Sequence, residues 1–443
     1  MRAKKVGLVS LGCPKNLVDS EGLLARLIER GYELTTNPAE ADVIVVNTCG
    51  FIDAAKEESI DTILEMATYK EKGRCRKLVV TGCLSQRYPQ EIAAEIPEVD
   101  AVIGTGSLER LPAILDELES GSRVVAVDAP GGFQGGARIL ATYPGTAYLK
   151  IAEGCNHRCS FCVIPELRGP LKSRPEEEIV AEALTLARQG VKEIILVAQD
   201  TTSYGLDLYH ELRLPSLLRK LAAIPEIKWV RLLYMYPERI TSELLSTIAE
   251  EPKVCRYFDI PLQHASDRIL KAMGRASRQS SVRRLIEEIR RVLPEAALRT
   301  TFIVGFPGET EAEYEELSAF VKEQEFDWVG VFSYSPQEGT PAADMPGQVP
   351  EEVKEDRRER LLKLQRRVSL ERNRAWLGKQ LEVLIERVEK GTGRGRCFRQ
   401  APEVDGITRV RGRGLKVGEF VRVEINHASI YDIGGRVVDE PAH

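Results

Sequence analysis

The chain has 443 residues, 43% hydrophobic and 29% charged, the composition of an ordinary globular protein of about two to four domains. A net charge of −5 supplies no overall basic field, and no apolar run reaches the roughly 18 residues of a membrane span, so composition implies neither a nucleic-acid nor a membrane partner. The N-terminus enters a strand-like segment without a signal-like apolar region, so the expected location is the cytoplasm, where nine cysteines point to metal or redox chemistry before disulfides.

The first third alternates strands and helices. A strand over 5–10 stops at Leu11-Gly12-Cys13, and a helix over 18–30 ends at Gly31. The run 43–46 stops at Asn47-Thr48-Cys49, followed by a helix over 54–70; the run 78–80 stops at Thr81-Gly82-Cys83, followed by a helix near 90–95. A short strand over 101–103 completes the pattern. Such alternation predicts a parallel α/β sheet, whose ligands bind beyond the strand carboxyl ends. Cys13, Cys49 and Cys83 should therefore share one rim and hold a cluster with one iron left open. One buried cysteine at a strand end is ordinary, but the same placement three times is not. Cys75, Cys255 and Cys397 share no such pattern and read as inert thiols.

Residues 129–145 are rich in Gly and Pro and read as a linker. A strand over 147–151 then leads into Cys155-Asn156-His157-Arg158-Cys159-Ser160-Phe161-Cys162. Three thiols at this spacing can bind one 4Fe–4S cube and leave its fourth iron open, unlike electron carriers, which close all four positions. A zinc knuckle would ask for a fourth Cys or His, and His157, the only histidine in reach, lies between the first two cysteines. Further strands over 193–197, 229–234, 257–260, 299–304 and 327–332 predict an incomplete TIM-like barrel with functional groups at strand carboxyl ends. Ser173-Arg174-Pro175-Glu176 reads as a capping box opening a helix over 177–189, and Thr310 with Glu313 as another.

The segment 353–374 reads as an exposed amphipathic helix closing the barrel, its charges a solvated face. Short strands over 381–385, 408–411, 420–425 and 434–438 then predict a small all-β barrel of OB type. Between 392 and 416, seven basic residues (Arg394, Arg396, Arg399, Arg409, Arg411, Arg413, Lys416) face two acidic ones, Glu403 and Asp405. An RNA or acidic-partner contact and a merely charged surface fit this run equally, since Phe398 is the only aromatic there.

The C-x-x-x-C-x-x-C loop with its aromatic residue resembles the radical S-adenosylmethionine (SAM) signature. The whole pattern resembles the radical SAM methylthiotransferases, with a TRAM-like tail. Leu11-Gly12-Cys13-Pro14-Lys15-Asn16-Leu17-Val18-Asp19-Ser20-Glu21 resembles the branch acting on a ribosomal protein rather than the branch acting on tRNA adenosine. Ala152-Glu153-Gly154-Cys155 and the runs from Asp259 to His264 and Phe302 to Thr310 support that likeness. The resemblance implies domains over 1–128 (N-terminal methylthiotransferase), 146–374 (radical SAM barrel) and 375–443 (TRAM-like), joined by 129–145. It implies two 4Fe–4S clusters, on Cys13, Cys49 and Cys83 and on Cys155, Cys159 and Cys162. Phe161, Gln199, Gln263 and Gly305 become candidate SAM contacts; the last three suit ordinary loop chemistry as well, and His264 suits a structural role. The implied reaction adds a methylthio group to the β-carbon of an aspartate in ribosomal protein S-twelve, using two SAM and a low-potential electron donor. The alternatives are a tRNA adenosine methylthiotransferase and a two-cluster electron-transfer protein.

Overall fold

Val43-Ile44-Val45-Val46 and Leu78-Val79-Val80 are continuous apolar runs, the pattern of strands buried on both faces. In the computed structural model, which describes residues 3–131 and 136–438, they lie at the centre of a six-stranded parallel sheet. Gly132 and Gly135, part of the expected linker, lie outside the described residues. The strands are β1 (Lys5–Ser10), β2 (Glu33–Leu34), β3 (Val43–Thr48), β4 (Lys77–Gly82), β5 (Ala101–Ile103) and β6 (Val124–Ala126), ordered β2-β1-β3-β4-β5-β6. Along β3, Val43 and Val45 enter one apolar layer, and Ile44 and Val46 the other. The two strands not anticipated, β2 and β6, are short edge strands with little buried apolar sequence.

β1, β3 and β4 are neighbours in register, with Ser10 opposite Asn47 and Thr48 opposite Gly82. Cys13, Cys49 and Cys83 therefore emerge along one rim. The first helix is Pro14–Glu29, beginning earlier than expected because Pro14 suits the first helical turn; Cys13 becomes its N-cap residue. Cys83 itself opens a short helix, Cys83–Arg87, ahead of the expected one at Pro89–Glu95.

The second parallel unit consists of β7 (Thr146–Lys150), β10 (Glu193–Val197), β11 (Trp229–Leu232), β12 (Tyr257–Gln263), β13 (Ala297–Val304) and β14 (Trp328–Ser333). A two-residue antiparallel pair, β8 (Ala152–Glu153) with β9 (Lys172–Ser173), brackets the cysteine loop. The six parallel strands form two sheets, β7-β10-β11 and β12-β13-β14, joined where the Met235 N–H donates to the Asp259 carbonyl (2.8 Å). The result is the expected incomplete barrel. The Ser173 capping box does not form: Ser173 lies in β9 and donates to Asp207 Oδ1 (2.6 Å), while the helix Glu176–Arg188 starts without a side-chain cap. The Thr310–Glu313 box is present in both directions.

The stretch expected as a linker is pinned to both neighbours. Arg138 is buried and pairs with Glu21 (2.6 Å), and the Ala141 N–H donates to the same carboxylate (2.7 Å). The charged helix Glu351–Arg374 is not a wholly solvated face. Lys354 and Arg357 are buried, Lys354 donating to the Tyr334 carbonyl (2.9 Å) and Arg357 pairing with Glu309 (2.9 Å). Among the described residues no helix is long and apolar enough to cross a membrane.

The C-terminal closed barrel runs β15-β16-β17-β19-β18, with β15 (Gln380–Glu389), β16 (Thr392–Arg396), β17 (Thr408–Arg411), β18 (Phe420–Ala428) and β19 (Ile433–Val437). β16 escapes sequence reading because Thr-Gly-Arg-Gly-Arg has no apolar alternation. Two members of the basic run face inward rather than toward a partner. Arg396 pairs with Glu193 (2.5 Å), and Arg399 pairs with Asp327 (2.6 Å), welding this barrel to the base of the parallel one. Arg394, Arg409, Arg411, Arg413 and Lys416 are exposed.

Candidate active site

On the N-terminal rim the three thiols interact electrostatically with one another. A Cβ on Gly12 would come within 2.9 Å of Cys49 Cβ and 3.1 Å of its Sγ, so the Cys13 loop lies directly on Cys49. Burial opposes ionisation of Cys13, yet the Lys15 and Arg168 charges and the Asn16 and Lys15 N–H groups bring its thiol below the ordinary value. Burial pushes Cys49 up to about 11 and raises Cys83 as well. In metal-free protein at about pH 8, iodoacetamide is therefore expected to alkylate Cys13 before Cys49, the gap narrowing as pH rises. Peptide mass mapping checks this; equal rates would contradict the electrostatic account.

The barrel loop carries the second set. Burial pushes Cys155 up to about 11 and Cys162 up to about 12, and each also feels Cys159. His157 turns elsewhere: its Nε2 lies 2.7 Å from Asp200 Oδ2, and its ring stacks on Tyr236 at 3.7 Å. Among the described residues no three His, Cys, Asp or Glu side chains close around a single-ion position. Three thiols in each set are the soft donors that an iron–sulfur cluster takes.

Gly154 precedes Cys155 with φ +75°, and a side chain there would collide with the Pro170 carbonyl oxygen. The tight turn that aims Cys155 thus requires glycine. Gly154→Ala is expected to destabilise the chain by more than about 1 kcal/mol and to lower iron uptake on reconstitution. Denaturant melts and iron assays read both; unchanged values would show that the loop adapts.

Phe161 packs against the small apolar group around Met273, Phe306 and Tyr334. Gln199 donates to Glu153 Oε1 (2.6 Å), leaving its own Oε1 buried with no hydrogen-bond partner among the described residues. Gln263 ends β12 with φ +73° beyond a register shift. Gly305 donates its N–H to Glu309 Oε2 (2.8 Å), and the space of a side chain there is filled by the Lys354 stem. Close approach at Gly305 thus serves the long helix. His264 is buried, its Nδ1 accepting from the Ser266 N–H (2.9 Å). Cys75, Cys255 and Cys397 are buried away from both sets.

Sequence reading missed four buried charges between the two cysteine sets. Lys150 pairs with Asp19 and with Glu153 (2.7 Å), and Arg168 pairs with Asp19 (2.7 Å) and Glu153 (3.3 Å). Burial would raise the Glu153 carboxyl, but Lys150 and Arg168 hold it down at about 2. Asp19, six positions after Cys13, and Glu153, two before Cys155, fall inside stretches that carry the resemblance, but nothing there marks them as paired.

Three family models match the chain: uncharacterized protein family UPF0004 over residues 5–104, the radical SAM superfamily over 149–321, and the TRAM domain over 377–438. Ribosomal protein uS12 methylthiotransferase RimO of Heliobacterium modesticaldum is 51% identical over 440 residues, covering 99% of this chain and 96% of that protein. RimO of Geobacter sulfurreducens is 49% identical over 441 residues, covering 98% and 99%. Among solved structures, the radical SAM methyltransferase TsrM of Kitasatospora setae with tryptophan and a SAM analog has a TM-score of 0.57 at 15% identity, over 77% of this chain and 75% of that one. The cobalamin-dependent radical SAM enzyme OxsB has 0.54 at 14%, over 82% and 56%. These distant structures speak to the fold alone.

Proposed function

This chain belongs to the RimO family of ribosomal protein uS12 methylthiotransferases, radical SAM enzymes, and on that premise we propose that it adds a methylthio group to the β-carbon of an aspartate in uS12. The observation that carries this reading is the pair of three-cysteine rims, one on each parallel unit, joined by the buried Asp19–Lys150–Glu153–Arg168 group.

In this reading Cys155, Cys159 and Cys162 would hold the 4Fe–4S cluster that binds SAM, and Cys13, Cys49 and Cys83 would hold the second. An aspartate β C–H is too weakly acidic for an ordinary side-chain base. Bound clusters with two SAM and a low-potential donor supply SAM cleavage, hydrogen-atom removal and the sulfur. The chain's own residues bind, aim and exclude water. Gly154 supplies the left-handed turn that leads into Cys155. Phe161 gives the cysteine loop apolar surface packed on Met273, Phe306 and Tyr334, and Gln199 Oε1, without a partner among the described residues, is an acceptor suited to the SAM amino group. Gln263 and Gly305 sit at the carboxyl ends of neighbouring strands, where a SAM contact would fall. Lys15, over the Tyr234 ring at 3.6 Å, closes the first helix onto the barrel mouth and shields the gap. We place the reaction in the cytoplasm, with the exposed Arg394, Arg411 and Arg413 of the TRAM barrel available for an RNA contact near the substrate.

Adding SAM to reduced, reconstituted protein should change the cluster EPR signal. An unaltered signal would favour an electron carrier over this enzyme.

A further inference from the structure

Arg168 ends the short helix Ile164–Arg168 that leaves the barrel's cysteine loop just beyond Cys162, yet its guanidinium reaches the other cysteine set. Its guanidinium is joined to Cys83 through Asn16, and its charge acts on all three thiols. Asn16 Oδ1 accepts from Arg168 Nη2 and lies 3.8 Å from Cys83 Sγ. Val163 and Leu167 of the same segment pack on Cys83, and Thr105 Oγ1 donates to the Leu167 carbonyl (2.7 Å). Asp19 and Glu153 grip the guanidinium from behind, so its position is fixed by both parallel units.

Resting on the two-cluster reading, we propose that Arg168 is a positioning residue by which the barrel completes the N-terminal three-cysteine site and sets the reduction potential of the cluster held there. The two cations and two carboxylates of the buried group sum to zero charge, so what the cluster feels depends on which member lies nearest it. Arg168 acts because it is the cation joined through Asn16 to a ligand sulfur, and a positive group there stabilises the more negative, reduced cluster. Lys150 belongs to the same group but has no such contact among the described residues.

The test uses reconstituted full-length chain with Cys155, Cys159 and Cys162 changed to Ala, so that the N-terminal cluster is read alone by EPR-monitored redox titration. Arg168→Gln should move its midpoint to a more negative value, and Arg168→Lys should recover part of the shift. The double change Asp19→Asn with Arg168→Gln removes one charge of each sign, avoids a lone buried carboxylate, and should still shift the midpoint negative, because the cation joined to Cys83 is lost. In the reciprocal background, with Cys13, Cys49 and Cys83 changed to Ala, the same substitutions should leave the barrel cluster's midpoint in place. An unmoved N-terminal midpoint, or equal shifts at both clusters, would overturn the assignment alone. A chain with all its cysteines that reconstitutes with about four irons rather than about eight would overturn the two-cluster reading and this proposal with it.

Discussion

A Cys13→Ala, Cys49→Ala, Cys83→Ala variant is expected to keep cleaving SAM to 5′-deoxyadenosine while methylthio transfer falls to background. The two thiol sets arise on different parallel units, so removing one leaves the other's loop intact. Arg168, which links them, remains paired with Asp19, Glu153 and Asn16 after the thiols are gone. The barrel loop keeps its own anchors: the Cys155 N–H donates to the Gly169 carbonyl (3.0 Å), and the Ser160 N–H to the Met273 carbonyl (3.0 Å). Chromatography of 5′-deoxyadenosine beside mass analysis of the substrate separates the two activities. Loss of 5′-deoxyadenosine formation from a variant that still holds the barrel cluster would show that the sets do not act separately.

The second large effect is structural. Glu193 is fully buried at the start of β10, between Arg231 (2.8 Å) and Arg396 of the C-terminal barrel (2.5 Å). Burial would raise its carboxyl, but Arg396 and Arg231 hold it at about 2. Glu193→Ala leaves two guanidinium groups facing each other without an anion and is expected to cost about 3–5 kcal/mol. Arg396 retains Glu386 (2.6 Å), so the loss falls hardest on Arg231. The readout is the first transition in a denaturant melt, since a chain of several domains need not unfold in one step. Replacing Glu193, Arg231, Arg396 and Glu386 together by apolar residues of similar size should recover most of the stability, which Glu193→Ala alone cannot. Because the folded carboxyl titrates below its unfolded value, the stabilisation is complete above about pH 5 and fades as pH falls toward about 2. A Glu193→Ala melt that matches the unsubstituted chain would refute the ion-pair weld.

The convergence of Cys13, Cys49 and Cys83 was legible because apolar runs ending in cysteine name both the strand and its carboxyl end. Sheet order then did the rest, since β1, β3 and β4 are adjacent. The spacing of Cys155, Cys159 and Cys162 was legible for a simpler reason: all three lie on one loop. Buried charge was not legible. Asp19 and Arg168 are 149 positions apart, and neither interrupts a recognisable apolar pattern. Lys354 and Arg357 sit in a run so charged that periodicity could not separate the inward stripe from the outward one. Arg396 and Arg399 were hidden in a basic stretch whose other members do face solvent. In each case the partner that neutralises the charge belongs to a different element, and local sequence carries no record of it. Gly305 shows the converse: glycine marked a close approach, but the approaching group was Lys354.

The most direct measurement is a paired assay of anaerobically reconstituted protein with SAM and a low-potential reductant, one reaction containing uS12 and the other unmodified tRNA. Mass spectrometry should find the methylthio group on an aspartate of uS12 and none on tRNA. Modification of tRNA alone would contradict the assignment of substrate.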